Sequence, residues 1–193
     1  MTDRPTLDRP PAGPVVIGLD TSLTATGIAS SNGWCRVVGY TSKKNPITKL
    51  GHRARLDAMR QVRRGVIENI GRPDLAVMEA PSFASSGGGT HERGWLWWRV
   101  FEYLEDAEVP VAFLAPKQRA KYATGNGNAD KKAVLAAVKE LWPDWEVRSN
   151  DNLADAVALM AAGRDWLGHS LADMPKTHRV ALDKANWPEG IAA

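Results

Sequence analysis

The sequence predicts one α/β domain built on a mixed sheet of about five strands flanked by helices. Short β-type segments separated by turn residues come first, and helical and strand patterns alternate after them. A length of 193 residues suits a single core. The elements are predicted in the order β-β-β-α-β-α-β-α-α, with three antiparallel strands leading.

The three leading strands are predicted at residues 14–20, 25–31 and 34–40. Small or turn-forming residues bound each of them, and each is rich in residues typical of strands. The pair Asn32-Gly33 favours a tight hairpin between the second strand and the third.

Apolar residues then recur at spacings of three or four from 56 to 70, which predicts a helix ended by Gly71 and Pro73. Two short apolar runs, 74–80 and 109–115, are typical of strands covered on both faces. Further helices are predicted at residues 91–107, 130–142 and 151–167.

Composition bounds the class of protein. Hydrophobic residues make up 44% and charged residues 24%, as in folded soluble domains. No run approaches the ~20 apolar residues of a membrane helix, the N-terminus is polar and proline-rich, and Cys35 is the sole cysteine. We expect a cytoplasmic protein with a flexible lead-in at 1–13, a domain at 14–168 and a C-terminal extension at 169–193.

Basic residues are concentrated in two blocks. Residues 43–72 hold nine Lys/Arg against two acids, and residues 116–132 hold five against one. Because the whole chain carries only +3, the remaining residues carry −8. Clustered cations favour a polyanion as partner, although solvated helix faces explain either block alone equally well.

Acidic residues form the candidate chemical site. Asp20 and Glu79 each end an apolar strand, and Asp151 and Asp155 are one helical turn apart. Turn or helix capping would explain each acid alone. Together they predict a site for Mg²⁺, which prefers oxygen ligands, whereas the four histidines lack metal spacing.

Four stretches carry a resemblance to a known family. They are VVIGLDTSLTATGIA, LAVMEAP, PKQRAKYATGNGNADKKAVLAAV and NDNLADAVALMAAG. In order and spacing they resemble the RuvC family of Holliday junction resolvases, most closely the versions carried by bacteriophages of actinobacteria. The resemblance spans about Pro14 to Gly168.

The resemblance implies an RNase H-like fold and a homodimer that cleaves four-way DNA junctions by symmetrical nicks, with two Mg²⁺ per active site and Mn²⁺ as an alternative. Asp20, Glu79 and Asp155 match the family's first, second and last acids. Bacterial members place Asp or His where this chain has Asn152. We therefore expect Asp151 as the fourth ligand, with Asn152 as the alternative.

The resemblance also implies DNA contacts. Lys131 matches a family lysine close to the scissile phosphate, and Phe83 lies where bacterial members carry an aromatic that stacks in the junction. A core contact explains Phe83 equally well, and a solvated surface position explains Lys132 better. The residues expected to contact DNA are Lys117, Arg119, Lys121, Lys132, Phe83, Arg53 and Arg60.

The predicted helix at 91–107 is apolar on several faces, which requires burial on more than one side. An internal helix is one explanation, but so short a chain offers little protein to surround it. The resembling family pairs its subunits through this helix. We therefore expect Trp95, Trp98 and Phe101 at a dimer interface.

Two other functions are compatible with the sequence. A non-catalytic protein that binds branched DNA would need only the basic blocks. An ATPase of the actin or sugar-kinase kind also places an Asp-Thr-Ser turn, here at 20–22, after a strand, but the chain has no adequate second lobe. The leading hypothesis is a junction-resolving endonuclease, acting in a bacterial host if it is phage-encoded.

Overall fold

The computed structural model describes residues 12–42, 44–81 and 89–191. Five strands form one sheet in the order β3-β2-β1-β4-β5. The first three strands are antiparallel, while β1, β4 and β5 run parallel. The predicted mixed sheet is confirmed. The strands are β1 Val16–Asp20, β2 Thr26–Ser30, β3 Trp34–Val38, β4 Leu75–Glu79 and β5 Val111–Leu114.

Helices cover both faces of the sheet. The first two, α1 and α2, pack on one face, and the next three pack on the other. No helix in the described ranges is both long and apolar enough to span a membrane. The helices are α1 His52–Ile70, α2 Thr90–Asp106, α3 Pro116–Thr124, α4 Lys131–Leu141, α5 Asp151–Trp166 and the short α6 Lys176–Arg179.

Helix α3 is absent from the predicted order of elements. Pro116 occupies its first position, and the Gln118 side chain accepts a hydrogen bond from the Ala115 N–H at 2.6 Å. Gly125, with φ of 77°, ends the helix. Proline first and glycine last are the usual signals of a helix, but nine mostly polar residues give little apolar periodicity.

The alternation of side chains along β1 and β4 decides which way their terminal acids project. Leu19 and Met78 belong to the core under α1 and α2. Because successive strand residues point to opposite faces, Asp20 and Glu79 project toward the α5 side. The sheet therefore presents both acids to the helix that carries Asp151 and Asp155.

Helix α5 lies unusually close to the sheet and is buried for most of its length. A Cβ atom on Gly18 would lie 2.1 Å from the Ala156 carbonyl oxygen, and one on Gly27 would lie 2.0 Å from the Asn152 carbonyl oxygen. These contacts leave no room for a side chain. The two glycines therefore set the depth at which α5 sits on β1 and β2.

Gly18→Ala is expected to destabilise the fold by about 3 kcal/mol or more, because the backbone of α5 must move to admit the methyl group. Urea denaturation followed by circular dichroism measures this. Gly51→Ala is the matched control, since Gly51 has φ of −61° and nothing within 4 Å of an added Cβ. Equal midpoints for the two variants would contradict the close contact.

The segment at 169–191 packs onto the domain. Trp187 stacks on Trp166 with ring centroids 4.5 Å apart. Asn186 exchanges two backbone hydrogen bonds with Phe113 on β5, at 2.9 and 3.1 Å. The Asp165 carboxylate, whose pKa is raised by burial, pairs with an α6 guanidinium at 3.0 Å. The segment is thus attached to both β5 and α5.

Candidate metal centre at the sheet edge

Two carboxylates mark one edge of the sheet. Asp20 and Glu79 end β1 and β4, which are parallel neighbours, so both strands end at the same edge. Burial and the charge of Glu79 raise the pKa of Asp20 from an ordinary 3.8 to about 7, and burial also raises the pKa of Glu79. The site concentrates more negative charge than its surroundings stabilise.

Helix α5 brings two more acids to this edge. The Asn150 side chain accepts a hydrogen bond from the Leu153 N–H at 3.2 Å and caps the helix. Asp151 and Asp155 then lie one turn apart on the same face. The Asn152 carbonyl oxygen lies against Gly27 on β2, and the choice of Asp151 over Asn152 as the fourth ligand stays a prediction.

Arg119 lies between the acids of the sheet and those of α5. Its Nε atom is 2.6 Å from Glu79 Oε2, and its Nη1 atom contacts Asp155 Oδ1. The arginine side chain is only 11% exposed. We expected Arg119 to be a DNA contact, and the structure places it inside the acid cluster. A basic residue in a mostly polar stretch gives no local signal of such a position.

Lys131 supplies a second cation. Its Nζ atom pairs with Asp151 Oδ2, and this hydrogen bond holds the pKa of Asp151 below its ordinary value. Asp130 caps α4 by accepting a hydrogen bond from the Ala133 N–H at 2.8 Å, which fixes Lys131 as the first residue of that helix. The lysine side chain is 76% exposed. It can therefore reach a substrate that approaches from solvent.

The acid cluster suits divalent metal ions by the chemistry of its donors. All four side chains offer carboxylate oxygens, which Mg²⁺ prefers. The Glu79 Oε2 atom is buried without an aligned hydrogen bond, despite its short distance to Arg119. Within the described residues, no three acidic, histidine or cysteine side chains are grouped closely enough for one ion. Arg119 occupies the position between Glu79 and Asp155.

A cavity of about 270 Å³ opens beside the two strand-end acids. The Trp97 indole N–H donates a hydrogen bond to the Glu79 carbonyl oxygen at 2.9 Å, so α2 holds the end of β4 in place. The cavity lies on the α2 side of this sheet edge, next to the two residues that carry the carboxylates. Its lining includes Asp20, Thr21, Glu79, Pro81, Arg93 and Trp97.

The other predicted residues fall into separate groups. Lys117 and Lys121 lie on α3, and Lys132 lies beside Lys131 on α4. Arg53 and Arg60 are exposed on α1, across the sheet from α5. The structure does not bring these two arginines to the acids. Phe83 lies outside the described residues.

The predicted dimer residues lie on α2. Trp98 is 61% exposed, whereas Trp95 and Phe101 are half-buried. Trp97 joins Trp98 and Phe101 in an aromatic group, with ring centroids 4.9 and 5.6 Å from its own. Of this group, only Trp98 is exposed on the outside of α2.

Comparison with known proteins supports the fold. A Thermus thermophilus RuvC structure is 23% identical, with a TM-score of 0.54, over 83% of this chain and 99% of that one. T. thermophilus RuvC in complex with Holliday junction substrate is 22% identical, with a TM-score of 0.56, over 84% and 100%. No protein-family model matches, and no curated protein matches in sequence. The likeness shows that this chain has the RNase H-like fold.

Proposed function

We propose that this chain is a divalent-metal-dependent endonuclease that resolves four-way DNA junctions by paired symmetrical nicks. The observation that carries the proposal is the convergence of four acids at one sheet edge, two from parallel strands and two from α5. The similar fold seen in complex with a Holliday junction supports the choice of substrate.

In this proposal, Asp20, Glu79, Asp151 and Asp155 hold two Mg²⁺ ions, with Mn²⁺ as an alternative. Bound ions of this kind activate a water molecule and stabilise the leaving oxygen of a phosphodiester.

The protein's own cations act on the DNA. Lys131, exposed at the rim, offsets the negative charge that develops on the scissile phosphate. In this proposal, Arg119 leaves Glu79 and Asp155, its present partners, and pairs with a neighbouring phosphate. Trp97 keeps the end of β4 in place while the charges around it change.

A homodimer is part of the proposal, because symmetrical nicks require two active sites facing two strands. The exposed Trp98, with its aromatic neighbours, gives α2 an apolar surface suited to pairing with a second copy. The sequence resemblance to the versions carried by actinobacteriophages further suggests a viral origin and action in the cytoplasm of a bacterial host.

The direct test incubates purified protein with a synthetic four-way junction and with a linear duplex of the same arm sequence, in Mg²⁺ or in EDTA. Nicks are mapped on every strand. We expect paired nicks on opposing strands of the junction, in Mg²⁺ only. Equal cutting of the duplex would indicate a general nuclease. Junction binding without nicks in either Mg²⁺ or Mn²⁺ would favour a non-catalytic binder.

A further inference from the structure

We propose that α3 and the C-terminal segment together form a second DNA-binding site, which holds a backbone phosphate away from the acid cluster. This cationic pocket has a volume of about 180 Å³ and is lined by three lysines, Lys117, Lys121 and Lys184. Gln118, Gly127, Val180 and Ala181 complete its lining. The inference rests on the proposed function for the identity of its ligand.

Among the described residues, no ion pair compensates the charges of this pocket. Lys117 and Lys121 are four residues apart on α3 and thus share a face, with Lys184 opposite them. None of the three lysines forms an ion pair with a carboxylate of the described residues, and no acid lines the pocket. Like charges held together without a counterion favour an external anion.

The third lysine is held in place by specific backbone contacts. The Gln118 side-chain amide donates a hydrogen bond to the Lys184 carbonyl oxygen. Two residues later, Asn186 pairs with Phe113 on β5. On the other side, His178 Nδ1 lies 2.9 Å from the Tyr122 carbonyl oxygen. The extension therefore fixes the backbone from which the Lys184 side chain reaches the pocket.

The pocket is connected to the acid cluster by two short structural links. On α3, Arg119 faces the acids while Lys117 and Lys121 flank it in sequence and face the pocket. Gly127 packs against the Lys117 carbonyl, and the chain runs from it directly into Lys131. In this proposal, a strand whose scissile phosphate meets Lys131 places another of its phosphates in the pocket.

Charge makes DNA the favoured occupant. A DNA strand presents negative charge at regular intervals, which suits a protein with two groups of cations, one at the acid cluster and one in the pocket. The basic residues of the acid cluster contact carboxylates, whereas the lysines of the pocket pair with no carboxylate in the described part of the chain. The pocket then contributes to binding with or without metal.

The test measures junction affinity by fluorescence anisotropy in EDTA over a series of NaCl concentrations. For Lys184→Gln we expect weaker binding and a slope of log K against log salt that is smaller in magnitude by about 0.7–0.9, as for one lost phosphate contact. Lys184→Arg should keep the wild-type slope. Lys139→Gln, an exposed lysine near the far end of α4, is the matched control.

The outcomes separate this inference from the proposed function. A wild-type affinity and slope in Lys184→Gln overturns the pocket, even if the protein resolves junctions. A reduced slope in a protein that never nicks DNA supports the pocket and rejects the nuclease. If the slope of log K against log salt decreases as much in Lys184→Arg as in Lys184→Gln, the lysine supports the structure and does not act through its charge. That result also overturns the proposal.

Discussion

Asp20→Asn is expected to reduce Mg²⁺-dependent nicking of a four-way junction by roughly 10³-fold, the upper range for losing one group that stabilises a transition state. Asparagine keeps the size of the side chain and removes the charge that a metal ion needs. Single-turnover cleavage of a labelled junction measures the loss. Junction affinity in EDTA should not fall, because an acid repels phosphates and its removal takes away no contact with the DNA.

Whereas Asp20→Asn is expected to lose activity, we expect it to gain stability. Because the folded-state pKa of Asp20 is about 7 against an ordinary 3.8, the folded protein binds more protons between those values than the unfolded chain does. Stability therefore falls as pH rises through that window, and the cost persists above pH 7. In EDTA at pH 8, Asp20→Asn should raise Tm by roughly 5 °C, and the gain should vanish near pH 4.

Loss of both activity and stability in Asp20→Asn would mean that the side chain supports the fold instead of the chemistry. Leu19→Ala gives the comparison, because its side chain is fully buried next to Asp20 on the other face of β1. That variant should lose several kcal/mol of stability. A gain in stability together with a loss of activity, as expected for Asp20→Asn, is the usual trade-off at a functional site.

The sheet and most helices follow from local patterns. β1 and β4 are apolar on both faces and end in acids, so strand length alone places Asp20 and Glu79 at an edge. The Asn32-Gly33 hairpin is confirmed, with Gly33 at φ of 88° and its N–H bonded to Ser30 O. These features depend on residues close together in sequence.

The features that could not be predicted from the sequence depend on contacts between distant segments. The depth of α5 comes from Gly18 and Gly27, whose role appears only when a helix from the far end of the chain lies on them. Arg119 meets Glu79 and Asp155 because three elements converge. A basic residue in a polar stretch is typical of a surface, and no local pattern distinguishes it from a buried counterion.

Replacing Arg119 with glutamine is expected to destabilise the metal-free protein by about 3–5 kcal/mol, the usual cost of removing one partner from a buried ion pair. For a chain of this size the Tm should fall by about 10 °C. Thermal denaturation in EDTA measures the change. Arg148→Gln, whose side chain is 83% exposed and pairs with Glu146 at 3.4 Å, is the control and should change Tm very little.

The effect of Mg²⁺ on Tm shows whether Arg119 acts as a counterion or as a simple structural contact. If the acids bind Mg²⁺ as proposed, an incoming ion displaces Arg119 from Glu79 and Asp155 in the wild type, whereas in Arg119→Gln the carboxylates already lack this cation. Millimolar Mg²⁺ should therefore raise the Tm of Arg119→Gln by more than it raises that of the wild type. A Tm that stays low in Mg²⁺ would contradict competition between the arginine and the metal.

The double variant Asp20→Asn/Arg119→Gln tests whether Arg119 stabilises the fold through its charge. If the arginine stabilises the fold by offsetting excess negative charge, removing one carboxylate must make its loss less costly. The two changes should therefore be non-additive in EDTA, with the double variant more stable than the sum of the single effects predicts. Additive effects would mean that Arg119 and Asp20 act independently, and that the cation serves packing instead of the charge balance of the metal site.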